Sequence, residues 1–535
     1  MLTKYNQEFL LPEETNFSVF IDKLKLFQSK RINTNNAKQS KAKTSNSTYI
    51  DQQCFLENGK DTNTVYNELQ AMFDGALRPH STNACFNMVP TPLLDGVVAS
   101  TYTQLYNCNS ISTPFAGNIL LFEQAVAKAI GKLIGWENAS GIACSGGKAT
   151  LLYALKTAIS RAAPDSLLNG IPPNLVVIAQ ESSHYSLEHV CALLGLGSNN
   201  IIRIPAYKNW EMDPQKLAKT IKEVISSGKK VAAIFCCGGT TINFACDNSK
   251  AIFDVINTIY SKPENGPRPY LHLDSVIGWL WFTFLTYQGN FQQYTTNPLI
   301  IQAIQEITEK FAAIKYFDSF GVDFHKNGLC PYSSSMFIAK TSESLLGLTD
   351  GKNQMTDLNN SSDNISAFKY TLENTRPASG IAAAYTVLNR LGKNGFRNYL
   401  VTLLTIKHNL LLELAKSPFI TIANHHSAGW EIVFDIDFGN TTLSHEILAN
   451  SFISYVWEKV DAGCPQTPFL SIIPNYQQTP ITPAKTMFLC YSMSLLLHQD
   501  IIPFSQNIIQ LIVDFRAYLK SNPNALIKQL EQPIK

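Results

Sequence analysis

Charge is scarce in this chain: only 16% of its 535 residues are charged, and 43 basic against 41 acidic residues leave a net +2. So even a balance supplies no long-range field for gripping DNA, RNA or an acidic membrane, and no nucleic-acid partner is expected. A bilayer-spanning run is also missing. The longest apolar stretch, roughly Val276 to Tyr287, is too short and carries several aromatics, as buried or interfacial segments do. The opening MLTKYNQEFLLPEETNF has no basic start followed by an apolar core and a small-residue cleavage site, so no secretory signal is expected. Eleven cysteines are present, but without the spacing of a zinc site or a small disulfide scaffold. We therefore expect no metal, no membrane partner and buried free thiols in a cytoplasmic protein. No internal repeat is visible.

What is present is length and apolar content. At 535 residues and 45% hydrophobic, the chain exceeds a single core and has surface to spare for a subunit interface. Gln28 to Tyr49 is rich in Lys, Asn, Ser and Thr, the composition of a flexible linker. After it, short apolar runs alternate with helix-length segments. A helical stretch from Leu120 to Ile134 leads to the run Gly141 to Cys144, and helix resumes from Ala149 to Arg161. Further runs follow at Leu175 to Ala179, Val231 to Phe235 and Tyr270 to Asp274. This alternation predicts an α/β protein with a large, mainly parallel sheet covered on both faces. From about Gly395 the alternation weakens, and the tail mixes helices with short strands as a smaller C-terminal α+β unit. The expected division is 1–118, 119–395 and 396–535.

Ligand sites in such sheets lie beyond the carboxyl ends of the strands, and the chemically suggestive residues fall there. Ser145-Gly146-Gly147-Lys148 stands at a strand-to-helix junction, where backbone N–H groups and the helix dipole favour an anion such as a phosphate. The same residues also make a plain tight turn, and they match neither the nucleotide-hydrolase loop nor the dinucleotide fingerprint. Asp274 ends an apolar strand, where an ionised carboxylate needs a cationic partner or caps the next helix. Lys326, in Asp323-Phe324-His325-Lys326-Asn327-Gly328, is either a surface lysine or a partly desolvated amine able to form a Schiff base. His184 lies in the loop after the strand ending near Ala179.

Taken in order, a small-residue loop, a loop histidine, a strand-end aspartate and a His-Lys pair resemble the group II pyridoxal-phosphate (PLP) dependent amino-acid decarboxylases. The resemblance runs from about Pro79 to Leu400 and is supported by Cys85-Phe86-Asn87-Met88, Asn107-Cys108-Asn109-Ser110, Gly238-Gly239-Thr240-Thr241 with Asp247, and Glu373-Asn374-Thr375-Arg376. It implies the aspartate aminotransferase type I fold, an N-terminal segment with dimer-forming helices, and a homodimer. It also implies that Ser145, Gly146, Gly147 and Lys148 bind the cofactor phosphate with His325 nearby, and that His184 stacks on the pyridine ring. Asp274 would pair with the ring nitrogen, Lys326 would hold the cofactor as a Schiff base, Thr241 would line the pocket, and Asn87 and Asn109 would meet the amino-acid substrate. The implied reaction is removal of the α-carboxylate, by way of an external aldimine and a quinonoid carbanion, from a small acidic amino acid such as aspartate or glutamate.

The chain departs from the family in four places. Asn327 follows the His-Lys pair where a tryptophan is common, and Ser275 follows Asp274 where alanine is usual. The stretch Thr486 to Met493 contains no arginine to bind a substrate carboxylate, which leaves Arg376 or Lys485 to be recruited. The polar segment Thr349 to Ala367, at the place of the catalytic lid, has no tyrosine before Tyr370. Two other readings accommodate these departures: a PLP-dependent carbon–carbon lyase of the same family, and a PLP-fold protein without turnover.

Overall fold

The computed structural model describes residues 14–28, 35–39, 55–349, 365–439 and 442–521. Most of the linker-like segment Gln28 to Tyr49, and 350–364 of the lid-like segment, lie outside the described residues.

Seven strands form the large sheet: β1 (Ser140–Cys144), β2 (Leu175–Gln180), β3 (Ile201–Ile204), β4 (Lys230–Cys237), β5 (Tyr270–Asp274), β6 (Ser319–Asp323) and β7 (Ser335–Ala339). Their order is β1-β7-β6-β5-β4-β2-β3. The run from β6 to β3 is parallel throughout. β7 is the exception, antiparallel to both β1 and β6. Its direction follows from the short connection 324–334, which cannot hold the dozen or more residues that a parallel crossover needs. That same connection carries Lys326.

The central strands are apolar along their whole length because both faces are covered; every residue of β2 is buried. The covering helices use a common local grammar. α1 (Leu94–Leu105), α2 (Ile119–Gly131) and α3 (Gly147–Ala162) precede α4 (Pro214–Ser226), α5 (Ser249–Tyr260) and α6 (Pro298–Lys310). Asp213, Asn248 and Asn297 cap α4, α5 and α6 through side-chain oxygens that accept from first-turn N–H groups. In α4 the buried residues Leu217, Ile221 and Val224 recur at helical spacing, as do Ile252, Ile256 and Ile259 in α5. The aromatic stretch after Asp274 is core: Gly278–Phe284 is 3-10 helical and entirely buried, with Trp279 and Trp281 among the largest enclosed side chains. No helix among the described residues is long and apolar enough to cross a membrane.

α7 (Ser379–Leu414) leaves the large sheet and breaks at Gly392, whose φ of +58° is open to glycine without strain. Beyond it a second, antiparallel sheet has the order β8-β9-β11-β10, from β8 (Ile420–Ile422), β9 (Glu431–Ile436), β10 (Ser471–Tyr476) and β11 (Lys485–Tyr491). Together with α8 (His445–Asp461) and α9 (Leu497–Ser521) it encloses a separate apolar cluster built around Phe434, Phe452, Phe488 and Phe515.

Candidate active site

Parallel strands end on one edge of their sheet, so β1, β2, β4, β5 and β6 deliver their following residues to a common place. Asp274 closes β5, held in register between Cys237 of β4 and Gly321 of β6. Its carbonyl accepts from the N–H of Gly238, which fixes the turn after β4 beside it (2.8 Å). Asp274 Oδ1 is sealed from solvent and has no hydrogen-bond partner among the described residues. Burial pushes its carboxyl up to about 6, against the pull of the Lys326 amine and with a push from Asp323. A buried carboxylate oxygen without a donor is costly, and this one is complementary to a cationic N–H supplied by a ligand.

Lys326 projects from the β6–β7 connection with its Nζ 3.2 Å from Oδ2 of the buried Asp323. Asp323 also accepts from Ser335 Oγ at 2.6 Å and lies 3.7 Å from His325 Nε2. Asp323 therefore orients the amine, a role that nothing in its sequence context suggested. His325 Nδ1 donates to the Ser334 carbonyl at 2.9 Å, and the His325 ring lies 4.5 Å from that of Tyr332. His184 accepts from the Ser186 N–H through Nδ1 at 3.2 Å and stacks on Tyr185 at 4.4 Å. Burial, then the Lys326 charge, hold its pKa below the usual value, so the ring is neutral at pH 7.

Lys326, Asp274, His184, Thr241 and Asn87 line one cavity of about 710 Å³, a size suited to a small cofactor with its substrate. The other sequence candidates stand outside its lining. His325 is behind Lys326. Ser145 faces a separate recess of about 70 Å³ shared with Ser333, Ser334 and Arg376. Gly146 precedes α3, and a side chain at Gly147 would press on Val276 at 3.0 Å and Asp323 at 3.2 Å, so this turn packs tightly behind Lys326. Lys148 Nζ lies 2.9 Å from His189 Nδ1. Asn109 is tied to another segment, its Oδ1 accepting from the Arg376 N–H at 3.1 Å.

Neither cation considered for a substrate carboxylate is available to the cavity. Arg376 is buried in a two-pronged pair with Glu123, at 2.9 and 3.2 Å, and its guanidinium also donates to the carbonyls of Ala143 and Ser110. Lys485 pairs with Asp435. Asn327 turns inward to donate to the Ile277 carbonyl, and Ser275 Oγ donates to Gly321 O at 2.8 Å, so neither departure next to the key residues reaches the cavity. Tyr370 is buried, 4% exposed, and is not among the cavity's lining residues. The cavity also contains residues the sequence did not single out: Asn243, Tyr332, Asn475 and Tyr476. Tyr332 sits close to the His-Lys motif, whereas Asn475 and Tyr476 arrive from the second sheet with no local signal.

The family model for the pyridoxal-dependent decarboxylase conserved domain matches residues 50–278, taking in Asp274 and stopping short of Lys326. Human cysteine sulfinic acid decarboxylase is 29% identical over 155 residues, 29% of this chain and 31% of that protein. The Bos taurus acidic amino acid decarboxylase GADL1 is 28% identical over 161 residues, 30% of this chain and 31% of that protein. The aligned segment thus spans about a third of the length of these curated relatives. The fold likeness extends further. The mouse CSAD structure superposes with a TM-score of 0.75 at 16% identity, covering 92% of this chain and 97% of that one. The Catharanthus roseus tryptophan decarboxylase structure gives 0.73 at 14% identity, covering 95% and 99%. The fold is that of the type I PLP-dependent enzymes. PLP fits the site on the protein's own terms, because Asp274, with a buried oxygen that lacks a donor, and Lys326 line one cavity. Residues 50–278 therefore match the pyridoxal-dependent decarboxylase conserved domain, and they sit in a chain with the fold of the PLP-dependent decarboxylases.

Proposed function

We propose that this protein removes the α-carboxylate of a small amino acid, with short acidic side chains leading the substrate class. The observation that carries the reading is the cavity shared by Lys326 and Asp274, whose Oδ1 has no donor among the described residues. When bound, PLP supplies an electron sink for the pair left on the α-carbon as carbon dioxide departs. Lys326 attaches the cofactor, and Asp274 keeps a proton on the ring nitrogen. Neutral His184 covers the ring without competing for its charge. Ser145, Gly146, Gly147, Lys148 and His325, outside the cavity's lining, are assigned to the phosphate; Thr241 lines the pocket and Asn87 meets the substrate, whereas Asn109 is held by the Arg376 segment. The acidic preference draws on the names of the relatives, which include an acidic amino acid decarboxylase.

We also propose a homodimer. On α1, Leu94 (78% exposed), Val98 (66%) and Tyr102 (53%) form a stripe at helical spacing, and Phe115 (74%) lies beyond it. An apolar stripe of this kind is costly in water and suits a self-complementary interface. A division near residues 118 and 395 and a cytoplasmic setting complete the proposal; the cysteines among the described residues are all free thiols, as a reducing compartment keeps them. The test is carbon dioxide release from a panel of amino acids with PLP present. Release from aspartate, glutamate or cysteine sulfinate is the expected result. No release from any amino acid, with cleavage of a phosphorylated amino alcohol, favours the lyase reading instead.

A further inference from the structure

Among the described residues that line the cavity, Lys326 is the only lysine or arginine, and the proposed function commits it to the cofactor. The wall facing the second sheet offers amides instead. Asn243 is buried, 7% exposed, and its Oδ1 accepts from the hydroxyl of Tyr476 at 2.7 Å. Asn87 spends its Oδ1 on the Met88 N–H, also at 2.7 Å. With both oxygens engaged, each side chain keeps its NH₂ as an unspent donor, and neither Nδ2 has a protein partner among the described residues.

The placement of Asn243 is imposed at some cost. Asn243 and Phe244 are consecutive non-glycine residues with left-handed φ angles of +62° and +43°, a conformation that costs roughly 1 kcal/mol or more per residue outside glycine. Two anchors hold it there. Phe244 is buried against Trp281 and Trp430, at 5.7 Å from each ring. From the second sheet, Tyr476 donates to Asn243, and Tyr491 donates to the carbonyl of Thr241 in the same turn. A register shift in β10 between Ile473 and Tyr476 adds a residue to the strand, with Asn475 at φ +57°, and swings this edge to the cavity.

We infer that Asn243, together with Asn87, is a specificity-determining residue that donates its amide N–H to an oxygen on the substrate's side chain, so that the side chain is recognised as a hydrogen-bond acceptor rather than as a negative charge. The substrate class is then an amino acid whose short side chain ends in a carboxylate or carboxamide oxygen. This rests on the decarboxylase reading for the identity of the substrate, but the binding chemistry is separable from turnover.

The test is calorimetric binding to the PLP-loaded protein of three unreactive probes: succinate, succinamate and butyrate. A neutral donor pair holds succinate and succinamate within about tenfold of each other, and each about tenfold tighter than butyrate. Asn243→Gly, which suits the left-handed backbone, erases the advantage of both over butyrate. Asn243→Asp replaces the donor with an acceptor and makes succinamate bind more tightly than succinate, an inversion that misfolding cannot produce. Unchanged binding of all three probes in Asn243→Gly overturns the inference, as does a preference for succinate over succinamate beyond about a hundredfold, since that requires a cation. Should the probe pattern hold while no amino acid releases carbon dioxide, the decarboxylase reading fails and the recognition by amides stands. Carbon dioxide release without the probe pattern leaves the decarboxylase standing and overturns the recognition.

Discussion

One wall of the cavity carries charge and the other carries amides. Lys326 and Asp274, with Asp323 behind them, stand on the ends of adjacent strands, and their charges are locked in place by the sheet register. Across the space, Asn243, Asn475 and Tyr476 bring only neutral donors and acceptors, and two of the three come from a different sheet. The charge is therefore concentrated where the proposed cofactor needs it, while the proposed substrate side chain would meet a surface that discriminates by hydrogen bonding and shape. A buried charge gains much from a partner of opposite sign and loses much without one, whereas a neutral hydrogen bond contributes about 1 kcal/mol, so the two walls differ in how sharply mutation is felt.

The largest effect expected is at Lys326. Lys326→Ala lowers carbon dioxide release by more than about a thousandfold in a turnover assay, because the group that fixes the reacting centre is lost. Asp274→Asn follows, with a fall of about a hundred- to a thousandfold, the scale of removing one partner from a buried charge pair. The same substitution acts oppositely on stability. Burial raises Asp274 from 3.8 to about 6, so between those values the folded, cofactor-free protein holds a proton that the unfolded chain has released. Its stability then falls as pH rises through that window, by on the order of 3 kcal/mol, and denaturant titrations of Asp274→Asn across it show a flatter profile.

Arg376→Ala probes whether charge outside the cavity serves binding or the fold. It destabilises the protein by about 3–5 kcal/mol, by stranding the buried Glu123, and leaves the order of preferred substrates unchanged in a competition assay. The smallest effect is at Tyr476. Tyr476→Phe removes the hydroxyl that holds Asn243, and steady-state kinetics show KM rising several-fold with kcat nearly unchanged, the mark of a group that binds ground and transition states alike. A large drop in kcat there would place Tyr476 on the charged side of the comparison.

The two walls were also unequally legible. Asp274 and His184 lie at or after strands whose apolar runs announce them, Lys326 was singled out by its place in an order of residues that resembles a family, and the converging strand ends of a parallel sheet bring the three together. A strand-like segment ending near Ala339 was legible as β7, but its antiparallel direction depends on the length of a connection rather than on any motif. Asn109 has the side chain of a substrate contact, yet long-range pairing with the Arg376 segment draws it away from the cavity. Asn243 carries no local signal at all: nothing in Asn-Phe foretells two left-handed residues, and what enforces them is a core of tryptophans and a tyrosine from a distant sheet. Local periodicity reports elements and their ends, whereas inter-sheet contacts and bulges are set by tertiary packing.

The most direct measurement is peptide mass mapping of the PLP-treated protein after borohydride reduction. A pyridoxyl label on the peptide containing Lys326, absent from Lys326→Ala, is the predicted result. A label on another lysine, or none on the wild-type protein, contradicts the assignment of the cofactor to this cavity.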